Sequence, residues 1–312
     1  MTIEHAVVHV ARKPWGVTDL HPWSSIDGSG GAVGELRFER ADQTAPQPAL
    51  LLKLLFTSEP LSIQVHPDDA FARSIGLANG KTEAWYILSA TSVARVAVGL
   101  KRRLTALQLR ASIRDGSIAG LTQWRTVTKG DIILVPGGTI HAIGAGIVLA
   151  EIQQHSDATF RLFDYGRSRG LHEDNAVAVS DAAPAQSQAG PRRLTAARTV
   201  LTASPHFVLE RADLSAESHW ALDADRETWI LMIEGNARIG VTDVAIGDAI
   251  FLDADRCGIA VGTDGMAALI AYPGPNPIIS LLREIPMPTA GPGTPSVPQP
   301  LTSTVTVEVS RR

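Results

Sequence analysis

The chain has 312 residues, 45% of them hydrophobic, with 28 Lys and Arg against 32 Asp and Glu and a formal net charge of -4. That length supports one large core or two ordinary ones, and the near balance of scattered charges excludes a nucleic-acid groove or a polybasic membrane patch while leaving room for a small anionic substrate. The start has no basic stretch followed by an apolar one, no run approaches the ~18 residues of a membrane span, and the single cysteine, Cys257, has no partner for an internal disulfide; the expectation is a soluble, cytoplasmic protein without nucleic-acid or membrane partners, Cys257 being a small buried apolar residue.

Short apolar runs broken by Gly, Pro, Asn and Asp dominate, so the predicted class is mainly β. Strands are predicted over 34–38, 49–56, 61–66, 83–88, 95–99, 131–135 and 147–153. A short helical insertion, about 104–116, begins where Thr105 and Gln108 make a capping-box pair ahead of Leu109 and Ile113, and stops near Gly116. Residues 181–192 lack periodicity and bulk and read as a linker. Beyond it strands are predicted over 207–210, 228–234, 237–240 and 249–252, the middle two joined by a turn through Glu234-Gly235-Asn236. From Pro286 the prolines crowd too closely for helix or central strand, so 286–312 is an extended tail, with 304–309 alternating well enough for an edge strand. The organisation expected is therefore an N-terminal barrel over 1–180, a linker, a smaller barrel over 193–285 and the tail.

Two stretches repeat. Gly130-Asp131-Ile132-Ile133-Leu134-Val135-Pro136-Gly137-Gly138-Thr139-Ile140-His141 returns as Gly247-Asp248-Ala249-Ile250-Phe251-Leu252 and onward, with Gly258 where the first copy has His141. Glu83-Ala84-Trp85 is echoed by Glu227-Thr228-Trp229. The first copy resembles the second motif of the cupin superfamily, in which a Gly-Asp turn starts a strand and a Pro-Gly bend aims a metal-binding histidine into the barrel. The fold expected is thus a double cupin, or bicupin, of two β-barrels or jelly rolls, one with a live site. Glu217, His219 and Glu227 are left as remnants of a second site, which Gly258 deprives of its last ligand.

Gln64 and His66 lie two apart on a predicted strand, hence on one face, with Ile63 and Val65 on the other. Asn79-Gly80 is a turn signal that would return the chain so that Glu83, with Trp85 and Ile87 on its face, meets them from a neighbouring strand. His141 completes a set of two imidazoles, a carboxylate and an amide, suited to Zn²⁺ with Mn²⁺, Fe²⁺ or Co²⁺ as alternatives. Singly each residue is ordinary; together they would bury four unpaired polar groups unless a cation gathered them. Lys81 shares the face of Glu83, and Lys53, flanked by Leu52 and Leu54, has the alternation of an inward residue.

The segments Leu51-Leu52-Lys53-Leu54-Leu55, Pro60-Leu61-Ser62-Ile63-Gln64-Val65-His66-Pro67-Asp68-Asp69, Gly80-Lys81-Thr82-Glu83-Ala84-Trp85-Tyr86 and Gln153-Gln154-His155-Ser156-Asp157-Ala158-Thr159-Phe160-Arg161-Leu162-Phe163-Asp164-Tyr165 resemble type I mannose-6-phosphate isomerases of the compact bacterial form. The resemblance is strong from about Trp15 to Asn175 and general beyond. It implies one Zn²⁺ held by Gln64, His66, Glu83 and His141, with Lys53, Lys81, Asp157 and Arg161 lining the substrate pocket and Arg161 at the catalytic arginine's place. The chain departs from the family at Trp15-Gly16-Val17, at Leu36 and at His155. The implied reaction interconverts mannose 6-phosphate and fructose 6-phosphate through a cis-enediol, with the metal as Lewis acid and Arg161 meeting the oxyanion. Its proton carrier is open between a metal-bound water, Lys53, Asp157 and a nearby histidine. The rivals are a metal cupin isomerase acting on another sugar or sugar phosphate, a metal oxygenase, and a non-catalytic sugar-binding bicupin.

Overall fold

The computed structural model describes residues 3–286, and within them the strands form three sheets whose ladders all run antiparallel. A six-stranded sheet has the spatial order Val7–Val17, Val33–Glu39, Leu50–Thr57, Ile147–Gln154, Glu83–Ala90, Ile132–Val135. A five-stranded sheet has the order Phe160–Phe163, Ile63–Val65, His141–Ile143, Arg95–Leu100, Thr122–Thr126. The two face one another, since Trp85, Ile87 and Leu149 of the first share a core with Val96, Val98 and Ile143 of the second. The ten-stranded sheet carries the rest of the chain and the first strand, Ile3–His5, which pairs with Ala249–Leu252 instead of joining the other strands of 1–180.

The strand Leu50–Thr57 is buried throughout, which explains its nearly continuous apolar text. Leu52, Leu54 and Phe56 pack with Phe207, Leu209, Trp229 and Phe251 in a core shared by the two halves of the chain. Lys53 has the opposite parity and faces the interior of the first half. On the outer face of the five-stranded sheet, Ile63 and Val65 pack with Leu109 and Ile113 of the helix Ala106–Arg114. That helix starts with the expected capping box of Thr105 and Gln108.

The internal repeat is geometric as well as textual. Gly130 and Gly247 have φ of 93° and 90°, and Asp131 and Asp248 each accept a backbone N–H three residues back, from Thr128 at 2.8 Å and Ala245 at 2.9 Å. The two turns also hold equivalent strands, Gly130 through Ile87 and Gly247 through Met232. That equivalence corrects the second echo. Glu83 lies opposite Val135 as Thr228 lies opposite Leu252, so Glu227 is one residue out of register with Glu83. A one-residue slip reverses the face: Trp85 points into the first half, whereas Trp229 points into the core between halves. Glu227 accepts the backbone N–H groups of Ala49 and Leu50 at 2.6 and 2.9 Å, fastening the halves together.

Two further expectations change. Residues 228–239 are one strand, Thr228–Ile239, bent by register shifts around Glu234 and Gly235, so the turn read at Glu234-Gly235-Asn236 is a bulge inside it. Asn79-Gly80 does not close a hairpin; the helix Asp69–Ser74 intervenes, and Glu83 belongs to the sheet facing Ile63–Val65. Residues 185–190 carry no regular structure, yet the side chain of Gln188 bonds both backbone groups of Leu134 at the sheet edge. The tail and its suggested edge strand lie outside the described residues, apart from Pro286.

Candidate metal centre

His66 follows the strand Ile63–Val65, and His141 begins the strand His141–Ile143. Gly138 N–H donates to the carbonyl of His66 at 2.7 Å, and a Cβ on Gly137 would stand 2.8 Å from Asp68 Cα and Pro67 O. The Pro-Gly-Gly bend is thus seated directly on the turn after His66, which brings the two imidazoles to a centroid separation of 4.7 Å. Glu83 enters from the facing sheet. Its Oε2 lies 3.2 Å from His66 Nε2, and its Oε1 lies 3.5 Å from His141 Nε2.

The hydrogen bonds at the far sides of the rings decide what this cluster presents. His66 Nδ1 donates to Ala158 O at 2.7 Å and His141 Nδ1 to Thr139 O at 2.8 Å, which leaves both Nε2 lone pairs directed at Glu83. Burial pushes both imidazoles below their ordinary pKa, His66 to about 4, so near neutrality both are uncharged. Burial alone would raise the Glu83 carboxyl, but the Lys81 ammonium beside it holds it well below the usual carboxylate range. Glu83 Oε2 is buried and accepts no hydrogen bond among the described residues. One ligand atom from each of the three residues fits within 4.8 Å of the others. A carboxylate and two neutral imidazoles whose lone pairs converge match the donor set of a divalent cation, with each imidazole fixed by a carbonyl behind it. The Lys81 ammonium, 3.2 Å from His66 Nε2 and 3.3 Å from Glu83 Oε2, shows that the cluster draws positive charge.

Gln64 and Arg161 arrive by register. Across the five-stranded sheet Arg161 pairs with Gln64, and Gln64 with His141, so the three side chains line one face in a row. Gln64 Nε2 stands 3.3 Å from His141 Nε2, and Oε1 accepts from Ser62 Oγ at 3.0 Å. A half-turn of the amide presents the oxygen at the cluster and keeps a partner at Ser62.

No family model matches the chain. In sequence it is 37% identical over 174 residues to a mannose-6-phosphate isomerase of Streptococcus mutans, which covers 53% of this chain and 55% of that protein. It is 39% identical over 137 residues to a probable mannose-6-phosphate isomerase of Bacillus subtilis, 42% of this chain and 43% of that one. The chain thus spans about half the length of the curated relatives it matches. In structure it superposes on the crystal structure of the Bacillus subtilis mannose 6-phosphate isomerase with a TM-score of 0.77, covering 87% of this chain and all of that one at 24% identity. The fold is that of the phosphomannose isomerases.

Within it the remaining residues occupy one inner surface. Arg37, Lys53, Glu151 and Trp85 stand opposite one another on four consecutive strands. Lys53 Nζ donates to Glu151 Oε1 at 3.2 Å and Gln153 Oε1 at 2.7 Å. Trp85 Nε1–H is shared between Glu83 Oε1 at 3.1 Å and Glu151 Oε2 at 3.2 Å. Burial opposes the charge on Lys81, but Glu83 and Glu151 outweigh it and keep the ammonium. Asp157 pairs with Arg37 at 2.6 Å and not with Arg161. Burial would raise its carboxyl, and Arg37, Lys53 and Lys81 bring it below the ordinary value.

Arg161 forms no ion pair among the described residues. Its backbone N–H donates to His172 Nδ1 at 3.0 Å, and His172 N–H returns to Arg161 O at 2.9 Å. A register shift adjoins it in the strand. The following loop is anchored by Asp164, which accepts from Arg167 Nε at 3.1 Å and Arg169 Nε at 2.8 Å. The sequence reading missed Arg37, Glu151, Gln153 and His172. Alternation held the signal for three of them: Arg37 lies between Leu36 and Phe38, and Glu151 and Gln153 have the parity of Leu149 in a strand that is apolar up to Ala150. His172, eleven residues from Arg161 and beyond a loop, had none.

In the second half, the register places Ala221, Asp223, Thr228 and Gly258 where the first has Gln64, His66, Glu83 and His141. Glu217, His219 and Glu227 therefore occupy none of the four equivalent positions. Burial and nearby Asp255 push the Cys257 thiol up to about 11, the property of an inert sulfhydryl. No helix among the described residues is long and apolar enough to cross a membrane.

Proposed function

We propose that this protein is a metal-dependent aldose-ketose isomerase of the cupin superfamily that interconverts mannose 6-phosphate and fructose 6-phosphate in the cytoplasm. The observation that carries the reading is the convergence of His66, Glu83 and His141, with both Nδ1 atoms tied behind them, in the fold of the phosphomannose isomerases. Gln64, His66, Glu83 and His141 would hold one divalent ion, Zn²⁺ being favoured by the mixed imidazole and carboxylate set. Bound there, the cation supplies Lewis acidity toward the carbonyl and hydroxyl oxygens of the open-chain sugar.

The protein's own contribution is positioning and charge. The reaction moves a proton from C2 to C1 and builds negative charge on the oxygens of the two carbons. Arg161, one strand from Gln64 and free of carboxylate partners, offers a permanently charged fork to that charge. Its backbone is clamped by His172 and its Nη1 lies 3.4 Å from Gly170 O in the following loop, so little reorganisation is needed to present the fork. Lys53 and Lys81 are each paired with a buried carboxylate, Glu151 and Glu83, and keep the inner surface cationic without leaving a bare buried charge.

The test is turnover by purified protein. Mannose 6-phosphate and fructose 6-phosphate should interconvert, chelation or His141→Ala should abolish it, and Arg161→Ala should reduce turnover far more than metal content. Normal turnover after complete metal removal would overturn the reading.

A further inference from the structure

Lys53, Lys81, Arg161 and Arg37 face the interior of the first half, and they differ in what they are free to do. Lys53 and Lys81 are buried and hold the buried carboxylates Glu151 and Glu83. Drawing Lys53 onto a substrate would leave Glu151 an uncompensated buried anion, and Lys81 is held at the metal cluster, 3.2 Å from His66 Nε2. Arg161 stands beside Gln64 at the reacting end. Arg37 is different. Its one side-chain hydrogen bond among the described residues runs from Nη2 to Asp157 Oδ1, and that carboxylate is 71% exposed while Arg37 is 30% exposed. If the bond were exchanged, water would take up Asp157 at little cost.

The position of Arg37 suits the distant end of a substrate. It lies three strands from Trp85, about 14 Å at the usual strand spacing, and the two side chains shorten that gap from both ends. In an extended hexose 6-phosphate, four carbons and an ester oxygen separate C2 from phosphorus, roughly 8 Å at ordinary bond lengths. Arg37 pairs with Lys53 across the sheet, Lys53 with Glu151 and Glu151 with Trp85, whose indole N–H reaches Glu83 Oε1 at 3.1 Å, so Arg37 lies on the same sheet face as the metal centre's Glu83. It also borders a cavity of about 460 Å³ whose charged lining, besides Arg37 itself, is Glu39, Arg40, Asp42 and Asp157.

We propose that Arg37 is the residue that receives the phosphoryl group, exchanging its bond to Asp157 for a forked pair to the dianion and so setting which end of the sugar reaches the metal. The proposal rests on the isomerase reading and adds to it a binding residue. It assigns specificity for phosphorylated over free sugars to a guanidinium at the rim and not to the buried lysines.

The experiment compares metal-loaded wild type, Arg37→Gln and Arg37→Lys. Arg37→Gln should raise KM for mannose 6-phosphate by about 10–100-fold, the loss of a charge-assisted bond, with kcat changed by no more than about threefold. The inhibition constant of inorganic phosphate should rise in parallel, metal content should stay at the wild-type level, and Arg37→Lys should recover part of the loss. An unchanged KM with a fall in kcat, or an unchanged phosphate inhibition constant, would overturn the proposal. If wild type turns over no hexose phosphate, the isomerase reading fails by itself; calorimetric titration with inorganic phosphate then decides about Arg37, since equal binding by wild type and Arg37→Gln overturns its role and weaker binding by the variant supports it.

Discussion

Trp85→Phe separates the scaffold of the metal centre from its ligands. One indole proton serves two buried carboxylates, Glu83 Oε1 at 3.1 Å and Glu151 Oε2 at 3.2 Å. Phenylalanine keeps a ring beside His141, 5.5 Å away between centroids, but removes the donor. A hydrogen bond to a charged acceptor contributes about 1.5–3 kcal/mol, and the smaller ring leaves a void worth ~1 kcal/mol. The metal-free variant should therefore unfold about 4–6 °C below wild type, at about 1.5 °C per kcal/mol for a chain of this size. Glu83 would also be oriented less firmly, so metal affinity should fall about 10–100-fold. Thermal unfolding of stripped protein and competition with a chromophoric chelator measure the two effects. An unchanged Tm together with unchanged affinity would refute the shared donor; a lowered Tm with unchanged affinity would refute the claim that Trp85 positions Glu83.

Acid should destabilise the metal-free protein in a defined window. His66 takes its proton near 6.5 when unfolded and only at about 4 when folded, because burial and then Lys81 oppose the charge; the unfolded chain therefore binds more protons between these values, and stability complete above about pH 6.5 is lost as pH falls toward 4. The shift corresponds to about 3 kcal/mol, read as the difference between wild type and His66→Gln in denaturant titrations at pH 7.5 and 4.5, and equal pH dependence in the two would count against a neutral His66. The repeated turns offer a matched pair of glycine substitutions. Gly130→Ala meets no atom within 4 Å and should cost only the ~1–2 kcal/mol of a left-handed residue, whereas the Cβ of Gly247→Ala would fall 2.0 Å from Trp23 O and should cost distinctly more; equal losses in chemical denaturation would show that the Trp23 loop yields.

How much of this was legible in the text depends on range. Alternation and turn residues act over a few positions, so the mainly β class, the capping box at Thr105 and Gln108, and the shared face of Gln64 and His66 could be read directly. The Gly-Asp turns could be read because both copies keep the same local hydrogen bonds. The long strand 228–239 could not, since Gly235 looks the same whether it ends a strand or bends one, and only the partner strand 256–273 chooses.

Pairing between distant strands decided the rest. Glu227 matches Glu83 by spelling, yet register sets it one residue away and on the other face, where it ties the halves together. Glu83 meets His66 across the interior because the two belong to facing sheets, which no turn signal encodes. Arg37, on a strand, and Asp157, in the segment between two others, are 120 positions apart and meet only because the chain folds them onto one surface. Residue type and spacing thus determined which side chains are fit to bind a cation or an anion, while the free energy of burying two faces of one sheet decided which of them share a site.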